Sequence, residues 1–219
     1  MTRQRFLVAA LLASSLALVL GGCSSFVDRP QRPVLFDLGP LPPLTAAPAA
    51  PAEPRIAVVL PDIEASGALD GTPVLYRLAY SDDHQLRAYA QSRWSAPAPQ
   101  LVRQRLRQQL GRERPVLSLD ESAALDRAGL GALYLLRLEL EEFSQVFDTP
   151  ERSRGVLRLR ATLLATTSSG EQRVGQRSIA VEGVAPTPAA SGGVRALTRA
   201  IDAAAADIDG WLRQSRPAR

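Results

Sequence analysis

The sequence predicts an α+β fold: a mostly antiparallel or mixed sheet with a mid-chain helix and a long C-terminal amphipathic helix packed on it. Three observations predict it. Residues 136–182 contain three stretches in which apolar and polar side chains alternate, the period-two pattern of half-buried strands. Leu101, Val102, Leu106 and Leu110 recur at helical spacing. Val194, Leu197, Ile201, Ala204, Ile208, Trp211 and Leu212 do so again near the end of the chain, on a segment long enough to cover a sheet face.

The elements follow in order. Residues 34–38 (VLFDL) are a short apolar run and read as the first strand. Residues 39–54 are dense in Pro and Ala and read as an extended, semi-rigid loop of the domain. Residues 56–60 form a compact strand bounded by Pro54 and Pro61. Residues 67–71 are a turn, and Val74, Tyr76 and Leu78 alternate with Leu75, Arg77 and Ala79 in a second strand. Residues 81–84 (SDDH) supply turn chemistry. A strand over 85–94 then completes a hairpin, with Leu86, Ala88 and Ala90 on one face and Arg87, Tyr89, Gln91 and Arg93 on the other.

Ser95, followed by two prolines, marks a helix start at which Ser95 can cap. Gly111 ends that helix, and Arg103, Arg105 and Arg107 read as its solvated face. Residues 116–119 are a further short strand, and 122–129 a helical turn. The three alternating stretches make a meander with one dry and one wet face. The final helix runs over about 193–214, with Arg195, Arg199, Asp202 and Asp209 opposite its apolar stripe.

The N-terminal end carries a different signal. Arg3 and Arg5 precede an uncharged, largely apolar run over 6–20, and Gly21 and Gly22 follow it. That is the layout of a secretory leader, and the run is shorter than the ~20 residues a spanning helix needs. Leu20-Gly21-Gly22-Cys23 resembles a bacterial lipobox. The resemblance implies cleavage before Cys23, diacylglycerol on its sulfur and an acyl chain on its new amino group. Several buried chains hold a protein to a bilayer where one holds only marginally. Cys23 is the single cysteine of the chain, so the fold has no intramolecular disulfide and relies on its core. The expected organisation is a leader over 1–22, a lipidated tether over 23–33 and one periplasmic α+β domain over 34–219. Ser24 and Ser25, by resemblance to enteric lipoproteins, suit export to the periplasmic face of the outer membrane.

Composition and motifs exclude several functions. The formal charge is +4, and loss of Arg3 and Arg5 with the leader lowers it to +2, which argues against a nucleic-acid surface. All 26 basic residues are Arg; without Lys there is no phosphate-binding loop of the Walker type. One histidine, His84, cannot build a His-based metal cluster. No serine has an activating motif around it. Glu141-Glu142 and Asp82-Asp83 are adjacent in strand or turn and point apart, so neither pair is a carboxylate dyad. No enzyme, metal or cofactor is read here beyond the lipid on Cys23. What remains is the aromatic and Arg content of the hairpin. Tyr76, Arg77, Tyr89 and Trp94 are the candidate partner-binding residues, because such side chains are enriched at interface hot spots.

Val74-Leu75-Tyr76-Arg77, the tyrosine-bearing strand over 85–94, the Trp94 to Pro99 helix start, the early strand over 34–38 and the terminal Trp211-Leu212 occur in an order that resembles the ABC-type transport auxiliary lipoprotein family. The resemblance covers nearly the whole mature chain. It implies an accessory lipoprotein of an Mce-type lipid transport system. In such a system an ATPase and a permease do the work, and a membrane-anchored Mce protein crosses the periplasm. The domain would dock the far end of that assembly, and the resemblance admits a homo-oligomer matching the Mce ring. The alternative is an envelope-assembly lipoprotein, pilotin-like or associated with the cell wall, with no transport role.

Overall fold

Leucines alternating with charged residues make one long strand the axis of the sheet, and every other strand is placed by it. The computed structural model describes residues 32–41, 43, 55–65, 67–127, 134–167 and 170–215. The leader, Cys23 and most of the tether and the 39–54 segment lie outside the described residues. Pro33–Arg219 form one compact unit. In chain order the elements are β1 (Val34–Phe36), β2 (Val58–Val59), β3 (Glu64–Ala65), β4 (Pro73–Leu78), β5 (Asp82–Trp94), α1 (Ala98–Leu110), β6 (Val116–Leu117), α2 (Leu119–Arg127), β7 (Tyr134–Thr149), β8 (Arg152–Thr167), β9 (Gly170–Val184) and α3 (Ala190–Gln214).

One edge of β7 pairs antiparallel with β8 along its length, and β8 pairs likewise with β9. This is the predicted meander. The other edge of β7 takes three partners in turn, all parallel: β2 at Tyr134 and Leu135, β3 at Glu139 and Leu140, and β4 at Gln145 to Phe147. Beyond β4 lie antiparallel β5 and then parallel β1; β6 runs parallel to β2. The sheet is therefore mixed.

A bulge between Leu140 and Glu142 reverses the facing of β7. Leu136, Leu138 and Leu140 are buried before it; Phe143, Gln145 and Phe147 follow in the alternate register. The hairpin is irregular too: the β4–β5 register jumps between the pairs Pro73↔Arg93 and Leu75↔Ala88. Ala88 and Ala90 share one face, as the alternation predicts, and face solvent; Tyr89 on the other face is half-buried. The turn itself is Ala79 to Ser81, closed by the Ser81 N–H donating to Leu78 O at 2.9 Å, so β5 starts three residues earlier than predicted.

Two helix starts also differ. Ser95 does not cap α1. Pro97 occupies that position, and the Ser95 N–H donates instead to Phe36 O at 2.8 Å, tying α1 to β1. The second helix begins at Leu119, where a strand end was expected, because Ser118 and Glu121 form a reciprocal capping box. The Ser118 N–H donates to Glu121 Oε2 at 2.6 Å, and the Glu121 N–H to Ser118 Oγ at 3.3 Å.

One sheet face carries the helices. α3 lies across β8 and β9 and against α1, and Val194, Leu197, Ile201, Ala204, Ile208 and Leu212 join the core as the periodicity predicts. Gly155 on β8 is what allows the approach. A Cβ there would lie 2.7 Å from the Leu197 amide nitrogen, a backbone atom that cannot move aside. Gly155→Val is expected to destabilise the fold by about 1–3 kcal/mol through overpacking. Gly210, inside the same helix with nothing within 4 Å of such a Cβ, sets the contrast: Gly210→Ala should stabilise by up to about 1 kcal/mol. Thermal unfolding of the two variants beside the parent checks both signs.

The arginine face of α1 is not wholly solvated. Arg105 is buried and grips Asp202 of α3 with both sides of its fork, Nε to Oδ1 at 2.7 Å and the second terminal nitrogen to Oδ2 at 2.8 Å. Its remaining nitrogen donates to the carbonyls of Gly39 and Pro40, each at 3.2 Å. Arg114, just past α1, pairs with Asp209 through Nε at 2.9 Å and donates to the Asp209 carbonyl at 3.2 Å. Both side chains are almost fully buried, at 1% and 4% exposure. Asp202 and Asp209 stand seven residues apart, two helical turns, so they share the side of α3 that meets α1. The sequence reading placed both on the face away from the core; the structure corrects it.

Candidate functional site

Strand neighbours point to opposite faces, so Tyr76 and Arg77 cannot present one surface. The pairing Tyr76↔Arg87 sets Tyr89 near Tyr76 instead, and their ring centroids lie 4.6 Å apart. Phe147 completes the cluster edge-on to Tyr76 at 6.0 Å. Such tilted and edge-to-face contacts suit aromatic quadrupoles. The Tyr89 hydroxyl donates to Gln145 Oε1 at 2.9 Å, and Gln145 Nε2 donates to Ser153 Oγ at 2.7 Å. Gln145 is fully buried beneath the first turn of α3, where Gly193 leaves room for it. Burial, and then the neighbouring Tyr76, pushes the Tyr89 phenol up to about 12. Tyr89 therefore stays a neutral donor at every physiological pH.

Arg77 lies on the other face. Its Nε and a terminal nitrogen meet the Glu142 carboxylate at 3.4 and 3.2 Å, and its third nitrogen donates to Asp83 O at 3.1 Å. This fork fixes β4 to β7 across the sheet. Trp94 is a core residue: it is 2% exposed and stacks on Phe143 with centroids 5.4 Å apart. Its burial removes it from any docking surface, which corrects the sequence reading. Cys23 lies outside the described residues. Of the four hairpin candidates, the structure thus brings together only Tyr76 and Tyr89.

Sequence reasoning missed Gln145, Ser153 and Phe147. No sequence signal marked them: the β7 bulge that puts an amide at a core-facing position shows only in the strand pairing. At the hairpin tip, ligand atoms of Asp82, Asp83 and His84 lie within 4.8 Å of one another, all on exposed or half-exposed side chains. Their interactions are mutual: His84 Nδ1 is 2.9 Å from Asp83 Oδ1, and the His84 N–H, donating to Asp82 Oδ1 at 3.0 Å, holds the Asp82 carboxyl below the usual range. Within the aromatic cluster, Tyr89, Gln145 and Ser153 are joined by hydrogen bonds.

No helix among the described residues is long and apolar enough to cross a membrane. Comparisons with known proteins agree with the architecture. The family model described as ABC-type transport auxiliary lipoprotein component matches residues 36–209. The fold resembles that of XCC0632 from Xanthomonas campestris, with TM-score 0.59 and 16% identity over 75% of this chain and 91% of that one. It also resembles an uncharacterized protein of solved structure, with TM-score 0.55 and 16% identity over 83% and 99% of the respective chains. No curated protein matches the sequence.

Proposed function

Because the chain belongs to the ABC-type transport auxiliary lipoprotein family, we propose that it is a lipid-anchored, non-enzymatic component of an envelope transport system, held at the membrane through Cys23. The observation that carries this is the position of the match. It begins at residue 36, and the lipobox-like Leu20-Gly21-Gly22-Cys23 stands a short tether upstream. The acyl chains would fix the domain at the periplasmic face of the outer membrane, in keeping with Ser24 and Ser25. The domain would dock an Mce-domain protein whose permease and ATPase drive movement of lipid or another hydrophobic cargo. Binding is its whole contribution; ATP is consumed by the other subunits.

Cys23→Ala tests the anchor. The variant is expected to incorporate no labelled fatty acid, to keep its leader, and, with the leader removed, to keep the melting temperature of the parent domain, because Cys23 precedes the compact unit Pro33–Arg219. Metabolic labelling with mass spectrometry of the N-terminus, and thermal unfolding of the domain, read these. Fatty acid on the variant, or none on the parent, contradicts the lipidation reading.

A further inference from the structure

Two of the sheet's edges, β9 and β1–β5, are defended differently. β9 pairs with β8 on one side only, and its exposed residues include Glu171, Arg173, Arg177 and Glu182. Charges of this kind discourage strand addition. The opposite edge is bare by comparison. β1 covers only Ser92 to Trp94 of β5, so residues 82–91 have no strand on their outer side among the described residues. Val34 and Leu35 of β1 are 56% and 67% exposed, and Ala88 and Ala90 also face solvent. From Pro33 to Phe36 and from His84 to Trp94 there is no acidic residue, while Arg87 and Arg93 are present. Asp37, Asp82 and Asp83 stand at the two ends. Asp37 accepts from the Gly39 N–H, and the other two are engaged with His84.

Where the chain enters the fold says what covers this edge. β1 is the first element after the tether, and residues 24–33 span at most roughly 35 Å when extended. We propose that the β1–β5 edge rests edge-on upon the anionic phospholipid surface of the membrane that holds the anchor, with side chains from both faces of the strands, Val34, Leu35, Ala88, Ala90, Arg87 and Arg93, turned along the edge towards it. The proposal rests on the lipidation of Cys23. Aliphatic side chains reach the boundary between headgroups and acyl chains, unpaired strand N–H groups donate to phosphates, and guanidinium groups match their charge. A bilayer contact also removes the exposed edge from strand addition by other chains.

The test uses the full acylated chain, reconstituted into vesicles of phosphatidylethanolamine and phosphatidylglycerol. With Cys23 blocked by its thioether, Leu35→Cys and, as a control on the helix-free face, Ala180→Cys can each be labelled with an environment-sensitive fluorophore. A lipid-borne quencher is expected to act at residue 35 about twofold or more over residue 180, as for a group ~5–10 Å into the interface. Equal, water-like signals at both sites on chains that float with the vesicles overturn the edge contact and leave the anchor intact. A blue shift at residue 35 that rises with protein concentration without vesicles assigns the edge to a second copy and also overturns it. A chain that does not float and whose Cys23 takes the label overturns the lipidation, and the edge contact with it.

Discussion

Asp209→Ala is expected to destabilise the domain by about 3–5 kcal/mol, the cost of leaving a buried charge without its partner. For a chain of this length that lowers the melting temperature by roughly 6–20 °C. The magnitude follows from the surroundings of Arg114. Its guanidinium is 1% exposed and has Asp209 as its counter-charge; its other acceptors are backbone carbonyls of Asp209 and Ile56. Arg213, one turn on, donates to Asp209 Oδ2 at 2.7 Å, but it is largely exposed and can turn to water. Arg114→Met combined with Asp209→Leu should recover much of the loss, since an apolar pair of similar volume avoids both desolvation costs.

The pH dependence has a definite sign. Burial pushes the Asp209 carboxyl up, but Arg114 and then Arg213 outweigh burial and hold it below the usual carboxylate range. A depressed folded pKa gives stability that is complete above the unfolded value of ~3.9 and is lost as pH falls through the folded value. The parent should therefore lose stability on acidification below about pH 4, and the gap between parent and Asp209→Ala should narrow there. Calorimetry across pH reads the gap directly.

Trp94→Ala is the second large effect, about 3–5 kcal/mol, from the lost ring and the cavity it leaves. Trp94 stands where β5 meets α1. Its backbone N–H donates to Thr72 O at 2.6 Å, its ring stacks on Phe143, and the next residue joins β1. The cavity would open between the sheet and α1, where Leu101 and Val102 are already packed. Trp94→Phe keeps an aromatic on Phe143 and should recover part of the loss. A melting temperature unchanged by Trp94→Ala would contradict the packing described here and return this residue to a surface role.

These two residues mark the boundary of what could be read in the sequence. Period-two and period-3.6 patterns were sufficient for the β7–β8–β9 meander and for α3, because each of those elements is long enough, at 15 residues or more, to display its period. The hairpin was legible as a hairpin, and its alternation separated Ala88 and Ala90 from Tyr89, but that pattern does not say which face meets the core, and the register jumps on β5 leave no mark on it. The parallel pairing of β2, β3 and β4 with one edge of β7 was equally hidden: β2 and β3 are two residues long and carry no period, and the alternation of β4 does not say which strand it pairs with.

Arg105 and Asp209 read as solvent-facing because charge usually is. Their partners lie 97 and 95 residues away in sequence, so no local pattern could reveal the pairing. At the candidate site, Tyr76 and Tyr89 could be chosen from residue type alone. Gln145, Ser153 and Phe147 required the register of β4 on β7.

The central claim is that this lipoprotein serves an ABC-type transport system of the Mce kind. Affinity purification from mildly solubilised native membranes, with the tagged full-length chain as bait and mass spectrometry as readout, tests it most directly. The account predicts that an Mce-domain protein is recovered with its permease and ATPase. Recovery of secretin or cell-wall components with no Mce protein would contradict it.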